Sequence, residues 1–511
     1  MRVLFLSVDQ WRGDFLGYAG HPTMKTQHLD QLASEGVSFL QHYAVAAPCG
    51  PSRTSMLTGL YPQIHRSIYN GAPLHGRFEN IASLARDAGL RPQLLGYTDT
   101  SADPASMASD DARLKSYEGV MPGFHQVMDH NESMLFHWRW KLEQAGFDVG
   151  DAAPSSLYAH VGTSGAAFPD SPAHYDAAHS DTAHMADSLI DFLQVFGRDE
   201  DLFAHAVFLR PHPPLVAPEP YHHMYDGAVG PALGLPDKPV PFELAWREFQ
   251  AQSTDYYDEA IDMARLTPDD VLAMRRVYMG LASEVDHHLG RVMDCLKSMD
   301  IYDDTLIIVT CDHGEMLGDY GLWGKMGFYD QAFHIPLIIK PPKSMDVDKG
   351  RKIHGFTENV DVMATLADYL GLDVPADVAG VSLRAAVEGA PFAGRPYVNW
   401  MFDYRLQEDM FFESILDKPS EACLMQVLKT PTSKIVLQPG EAALCYQKEE
   451  GIEFQTQPDP EQHARLLELG MSHLLVNLER GYANTRLGPK GPEEFHGPRQ
   501  ELLQFLRAKY F

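Results

Sequence analysis

Short apolar runs alternate with helical periodicity over roughly the first 340 residues, the pattern of an α/β sheet. Four runs, at 3–8, 93–96, 203–209 and 306–310, predict strands, and each leads directly into polar groups. Asp9-Gln10 follows the first and Tyr97-Thr98-Asp99-Thr100 the second. Arg210-Pro211-His212 follows the third and Asp312-His313-Gly314-Glu315 the fourth. Ligands of open α/β sheets bind beyond the carboxyl ends of the strands, so these four ends are expected to converge on one site. Between them, 28–39, 80–89 and 274–299 read as helices. The last carries Val277, Leu281, Val285, Leu289, Val292 and Leu296 at spacings of four and three. A further helix at 360–370 closes on Gly371.

The stretches 101–181 and 211–266 are rich in Pro, Asp, His and aromatics and weakly periodic, and read as long surface insertions that shape a binding site. After about Arg395 the pattern changes to short runs at 423–428, 434–437 and 443–447, separated by turn residues, with a helix near 461–475. The tail from 481 is Gly-, Pro- and charge-rich and ends in a last short helix. The expected architecture is α/β. A large mixed sheet flanked by helices fills 1–390, a smaller antiparallel-sheet domain with a helix fills 391–480, and the tail 481–511 is a candidate oligomer contact.

Composition narrows the function. The formal net charge of −29 argues against nucleic acid or an anionic membrane as partner. A site for anions must then be built locally against the field of the whole chain; Arg53, a metal ion, Lys325 and His212 are the candidates. The five cysteines, Cys49, Cys295, Cys311, Cys423 and Cys445, follow no spacing motif, which suits a reducing compartment. The apolar run before Asp9 is too short for a signal-peptide core, and there is no run of about 18 apolar residues, so a cytoplasmic chain without a membrane span is expected. Asn131-Glu132-Ser133 is a formal glycosylation sequon, read as accidental. His21, His222, His223, His287 and His288 receive no role, and the two histidine pairs read as surface residues.

Two groups of residues carry chemistry. Asp9, Gln10, Asp312 and His313 offer two carboxylates, an amide oxygen and an imidazole, ligands for a hard or borderline divalent ion; salt-bridged strand ends are the alternative. Cys49-Gly50-Pro51-Ser52-Arg53, running on into Met56-Leu57-Thr58-Gly59, places a cysteine at the mouth of a helix. Unpaired N–H groups and the helix dipole meet there, and Arg53 lies one turn on along the same face. That is a place to hold an anion beside a nucleophile.

The run Cys-x-Pro-Ser-Arg-x-x-apolar-apolar-Thr-Gly resembles the signature of the sulfatases, within the alkaline phosphatase superfamily, although Pro48 stands where an aliphatic or hydroxyl residue is commoner. Gln10 and His313 depart from the usual sulfatase pattern and resemble the subgroup of phosphonate monoester hydrolases and their arylsulfatase relatives. The resemblance continues through Leu60-Tyr61, His65-Arg66, Asn70, Gly96-Tyr97-Thr98, Arg210 to Pro214, Glu284-Val285-Asp286, Asp304 to Ile308, Asp312 to Asp319, and Gly324-Lys325. It implies an alkaline-phosphatase-like fold and a Cys49 oxidised to formylglycine by a formylglycine-generating enzyme. It implies one divalent metal at Asp9, Gln10, Asp312 and His313, with the nitrogen ligand moving the choice from calcium toward manganese or zinc. Tyr97, His212 and Lys325 would contact substrate or leaving group, and Asn70 would lie in the pocket. Asp99 stands where the subgroup has threonine, a role Thr98 or Thr100 could take.

The expected activity is hydrolysis of singly charged esters: aryl sulfates, phosphonate monoesters and phosphodiesters. One hydroxyl of the hydrated aldehyde, held by metal and Arg53, attacks sulfur or phosphorus. Lys325 and His212 stabilise and protonate, and the second hydroxyl expels the product by C–O cleavage. Sulfate is placed slightly ahead because of Asp99; phosphonate monoester or diester hydrolysis as the main activity is the alternative. A phosphomonoesterase of the same superfamily, or an anion-binding protein with an unmodified Cys49, are the other readings. A homo-oligomer is expected.

Overall fold

Strand Arg2–Asp9 is buried on both faces from Val3 onward. Leu4, Leu6 and Val8 join a core with Leu29, Leu32, Leu189 and Val277, while Val3 and Phe5 join one with Met56, Leu57, Ile81 and Leu366. Two helical layers therefore sandwich the sheet, which is why its central strands read as unbroken apolar runs. The chain is described here from a computed structural model, which covers residues 1–511 apart from 151–153, 160–170, 253–260, 346, 406–409, 450–451, 457–459, 483–484, 489–490 and 495–511.

The large sheet has eight strands, in the order Arg351–Ile353, Val37–Phe39, Leu337–Lys340, Thr305–Cys311, Arg2–Asp9, Leu202–Pro211, Arg91–Leu95 and His125–Met128. It is mixed: Leu337–Lys340 runs antiparallel to both neighbours, and the other pairs are parallel. The four strands expected to carry the site are adjacent, and their carboxyl ends face the same way. The long amphipathic helix, Pro268–Ser298, starts earlier than its apolar stripe because Thr267 and Asp270 form a capping box ahead of it. Helix Val360–Leu370 closes on Gly371 in the left-handed conformation.

Three expectations need correction. The helix read at 28–39 ends at Glu35, and Val37–Phe39 is a strand. Gly36 passes the Ile339 carbonyl so closely that a Cβ would lie 2.5 Å from its oxygen, so the chain turns onto the sheet edge there. The stretches read as aperiodic surface insertions contain the helices Phe136–Ala145 and Pro241–Gln252, the first burying Trp138 and Leu142, the second Phe242 and Trp246. The remainder of those stretches at 151–153, 160–170 and 253–260 lies outside the described residues. The histidine pairs are not both on the surface: His222 and His288 are buried, with Arg276 and Arg291 against them, while His223 and His287 are exposed. Sequence neighbours point in different directions, so an adjacent pair rarely shares one environment.

The second sheet runs Ile452–Thr456, Leu444–Glu449, Ser433–Leu437, Leu424–Lys429, Val398–Asp403 and Ala46–Ala47. Its first five strands are antiparallel; the sixth pairs parallel through Met401 and Phe402. Ala46–Ala47 directly precedes Pro48-Cys49, so the small sheet grips the chain one step before the helix that opens at Cys49. Helix Pro460–Tyr482 follows, then a hairpin of Thr485–Gly488 with Gly491–Glu494. The short helix expected at the end of the tail falls outside the described residues. Among the described residues, no helix is long and apolar enough to cross a membrane.

Candidate active site

Helix Cys49–Thr58 is buried along its whole length and stops at Gly59, whose φ of 69° a Cβ would strain. The orphan N–H of Gly50 donates to Asn70 Oδ1 at 3.0 Å. Ser52 Oγ donates to the Asp312 carbonyl at 2.5 Å and receives Asn359 Nδ2 at 2.9 Å. These bonds fix the helix mouth over the ends of strands Arg2–Asp9 and Thr305–Cys311. Gln10, the first residue past its strand, sits at φ 66°, in the left-handed region. Its N–H donates to Asp312 Oδ1 at 3.1 Å and its carbonyl accepts from Tyr278 Oη at 2.6 Å. A non-glycine residue held there by its neighbours is strain of the kind that accompanies functional sites.

One donor atom from each of Asp9, Cys49, Asp312 and His313 lies within 4.8 Å of the others, and all four residues are buried. His313 Nε2 is 3.2 Å from Cys49 Sγ, 3.7 Å from Asp9 Oδ1 and 3.6 Å from Asp312 Oδ2. Its Nδ1 faces the Gly314 carbonyl at 3.1 Å, which leaves Nε2 toward the group. Burial pulls His313 down to about 4, so its imidazole is neutral and able to ligate at neutral pH. Burial alone would raise Asp312, but Arg53, Lys325 and the Gln10 N–H together hold it below the usual carboxylate range. Gln10 reaches the same place: its Oε1 accepts from Lys325 Nζ at 3.2 Å while its Nε2 bonds Glu315. Two buried carboxylates, an imidazole and an amide oxygen fit a divalent ion of intermediate hardness.

Arg53 is placed differently from the sequence reading. It is turned to the carboxylates, not along the face toward an anion at Cys49. Its Nη2 bonds Asp9 Oδ2 at 2.6 Å, its Nε bonds Asp312 Oδ2 at 3.0 Å, and the guanidinium lies 4.2 Å above the Tyr97 ring. Tyr97 Oη also donates to Asp9 Oδ2 at 2.8 Å. Removing Arg53 would strand two buried carboxylates, at a cost of about 3–5 kcal/mol by analogy with broken buried pairs.

Lys325 is the cation that faces the cysteine. Its Nζ lies 3.0 Å from Cys49 Sγ and 2.9 Å from His212 Nε2. His212 Nδ1 is 2.7 Å from the Pro213 carbonyl. Burial first, then Lys325, lowers His212 to about 4, so it stands neutral and accepts from the lysine. Burial outweighs Lys325 at Cys49 and drives the thiol well above its ordinary value. An unmodified Cys49 is therefore a poor thiolate nucleophile in this setting.

Asp99 Oδ2 lies 3.5 Å from Arg53 Nε. Burial pushes its carboxyl well above the usual range despite that cation, which favours the neutral form and relieves repulsion of an anion. The Thr98 and Thr100 hydroxyls bond each other at 3.0 Å, and Thr98 also bonds the backbone at Gly119 and Met121. Thr100 is tied into that loop and not to the group around Cys49.

Sequence reasoning assigned no role to two residues that touch the site. Glu315 accepts the N–H groups of Leu317 and Gly324 and orients the Gln10 amide. Its position three residues after Asp312, on the same strand end, was a usable signal. Glu132, inside the sequon set aside as accidental, lies 3.3 Å from His212 Nε2; nothing local in the sequence joins it to His212.

The sulfatase family model matches residues 2–372. The "Multifunctional alkaline phosphatase superfamily protein PehA" of Trinickia caryophylli is 32% identical over 465 residues, 88% of this chain and 86% of that protein. An arylsulfatase of Clostridium perfringens is 25% identical over 78% of this chain and 80% of its own. The solved phosphonate monoester hydrolase of Silicibacter pomeroyi superposes with a TM-score of 0.89 at 35% identity, over 97% of this chain and 99% of that one.

Proposed function

The chain belongs to the sulfatase family and is a hydrolase, and on that footing we propose that it cleaves singly charged esters: aryl sulfates, phosphonate monoesters and phosphodiesters. Residue 49 works as formylglycine, and one divalent ion sits at Asp9, Gln10, Asp312 and His313. The observation that carries this reading is Cys49 Sγ in contact with both the Lys325 ammonium and the imidazole of the carboxylate group. Manganese comes first among the metals, ahead of zinc and calcium, because a nitrogen and an amide oxygen complete the donor set. Maturation requires a formylglycine-generating enzyme. We place the protein in the cytoplasm as a homo-oligomer; exposed Phe136 and Trp140, one turn apart, support a self-contact.

The hydrated aldehyde supplies two hydroxyls on one carbon, one to be esterified and one to release the product by C–O cleavage. A divalent ion held by Asp9, Gln10, Asp312 and His313 would supply positive charge against the charge that develops on the transferred group. The other steps fall to the chain's own residues. Asn70 and the small sheet hold the mouth of the nucleophile helix. Arg53 and Tyr97 hold the Asp9 and Asp312 carboxylates in one orientation. Lys325 meets the charge that develops on the transferred group. As the alcohol departs, a proton moves from Lys325 Nζ to His212 Nε2 and on to the alcohol oxygen, leaving Lys325 as an amine that solvent reprotonates. In this role His212→Ala should slow esters of poor leaving groups at least tenfold more than p-nitrophenyl esters, as a plot of log kcat/KM against leaving-group pKa will read. Equal slowing across the series would leave protonation to Lys325.

With Arg53 committed to Asp9 and Asp312, Lys325 is the cation at the cysteine, and such a site favours one negative charge over two. Four p-nitrophenyl esters, the sulfate, phenylphosphonate, phosphodiester and phosphate monoester, share one leaving group and isolate this effect. The three monoanions should exceed the phosphate monoester in kcat/KM by about tenfold or more at a pH where the latter is a dianion. A clear preference for the phosphate monoester would overturn the reading in favour of a phosphatase. Among the monoanions, phosphonate or diester hydrolysis as the main activity is the second reading. It is favoured by the 35% identity to the S. pomeroyi phosphonate monoester hydrolase over nearly the whole chain, against 25% to the arylsulfatase.

A further inference from the structure

A line of contacts runs outward from the nucleophile: Cys49 Sγ to Lys325 Nζ at 3.0 Å, Lys325 Nζ to His212 Nε2 at 2.9 Å, His212 Nε2 to Glu132 Oε1 at 3.3 Å. Lys325 and His212 are buried, whereas the Glu132 side chain is 37% exposed. Glu132 is therefore where this line meets solvent. It is also pinned. Asn131 Oδ1 accepts the N–H groups of Ser133 and Met134 at 3.0 and 2.7 Å, and Glu118 Oε1 accepts from Ser133 at 3.1 Å. Glu132 and Glu118 both lie close enough to Asp99 to add to the effect of burial on its carboxyl. Tyr117 feels Glu132, Asp99 and Cys49 together, after burial. The buried end of this line is thus cationic at Lys325 and its solvent end acidic at Glu132.

Those two charges act on different parts of a substrate. The transferred group is anionic and is held at the buried end. The alcohol must leave outward, past His212 and the carboxylate beside it. We propose that Glu132 is a specificity-determining residue that selects the leaving group: it disfavours alcohols bearing negative charge and favours those bearing an ammonium. This deepens the hydrolase reading and rests on it. A unit charge some 6 Å from a half-exposed carboxylate is worth roughly tenfold in affinity at low salt, and less as salt screens it.

The test uses three aryl esters of one acid, matched in leaving-group acidity, whose ring carries a side arm ending in ammonium, hydroxyl or carboxylate. Ratios among the three are read within each variant, so any common loss of activity cancels. The wild-type protein should rank them ammonium, hydroxyl, carboxylate, with about a tenfold step between neighbours at low salt. Glu132→Gln should reduce that spread to within about threefold, and Glu132→Lys should reverse its order. Non-hydrolysable sulfonates bearing the same three arms, measured by calorimetry, should follow the same order and lose it in Glu132→Gln. A spread that persists unchanged in both variants overturns the proposal. If sulfonates bind in the stated order but no ester is turned over, the hydrolase reading falls and the charge selection stands. If esters are turned over without the order, the selection falls alone.

Discussion

Cys49→Ala should fold and bind metal normally yet lose at least about 10⁴-fold in kcat, the scale on which removal of a covalent nucleophile acts. The side chain opens a helix whose other fixings remain: Gly50 N–H on Asn70, Ser52 on the Asp312 carbonyl, and Ala46–Ala47 in the small sheet. Only one small side chain is deleted, and the thermal midpoint should move by a few degrees at most. Cys49→Ser should be nearly as inactive, since a serine ester has no second hydroxyl with which to expel the product. The matching observation is the mass of the peptide containing residue 49 after expression in an aerobic host. It should show the aldehyde or its hydrate in a substantial fraction of molecules. A fully active protein that carries only free thiol at residue 49 would falsify the formylglycine mechanism. It would also conflict with the environment of Cys49, where burial and the carboxylates of Asp9 and Asp312 keep a thiol protonated despite Lys325.

The parts of this site that were legible in the sequence share one property: each sits at a fixed offset from an element the apolar pattern predicts. Asp9 and Gln10 end one strand, Asp312 and His313 another, and Cys49 opens a helix whose end Gly59 marks. Strand order brings those ends together without further information, because adjacent parallel strands present their carboxyl ends on one side. What was not legible depends on side-chain direction and long-range contact. Arg53 shares a helical face with Cys49, and spacing alone suggested that it served the same anion. The structure turns it to Asp9 and Asp312, a choice set by the proximity of two buried carboxylates, which no local pattern encodes. Thr100 looked equivalent to Thr98 as a pocket hydroxyl until both were seen bonded to each other within the loop. Helix Phe136–Ala145 was hidden by its aromatic and charged composition and Pro241–Gln252 by the prolines before it, although Trp138 with Leu142 and Phe242 with Trp246 already carried the four-residue spacing.

Asp312→Asn should abolish stoichiometric metal binding and lower kcat by about 10³-fold or more, with both losses partly restored by excess manganese. The carboxylate it replaces is already engaged by three protein donors, which leaves one lone pair of Oδ2 for an ion. Asp312 Oδ1 accepts the N–H groups of Gln10 and His313 at 3.1 and 2.8 Å, and Oδ2 accepts from Arg53 at 3.0 Å. An amide of the same size places an NH₂ group against at least one of these donors, an unsatisfied contact worth about 1–3 kcal/mol. That cost falls on the structure whether or not a metal binds, so activity alone cannot assign the residue. Metal content can. Wild-type protein should carry one ion per chain after dialysis, and chelation should lower its thermal midpoint, because the binding energy of the ion is lost from the folded state and two buried carboxylates are left sharing Arg53. In Asp312→Asn the chelator should produce little further shift, since there is no bound ion to remove. Cys49→Ala supplies the opposite control, inactive but fully metallated. Full metal occupancy in Asp312→Asn, or a chelator shift as large as in the wild type, would place the ion elsewhere and leave Asp9, Asp312 and His313 as a charge network held together by Arg53, Lys325 and Tyr97.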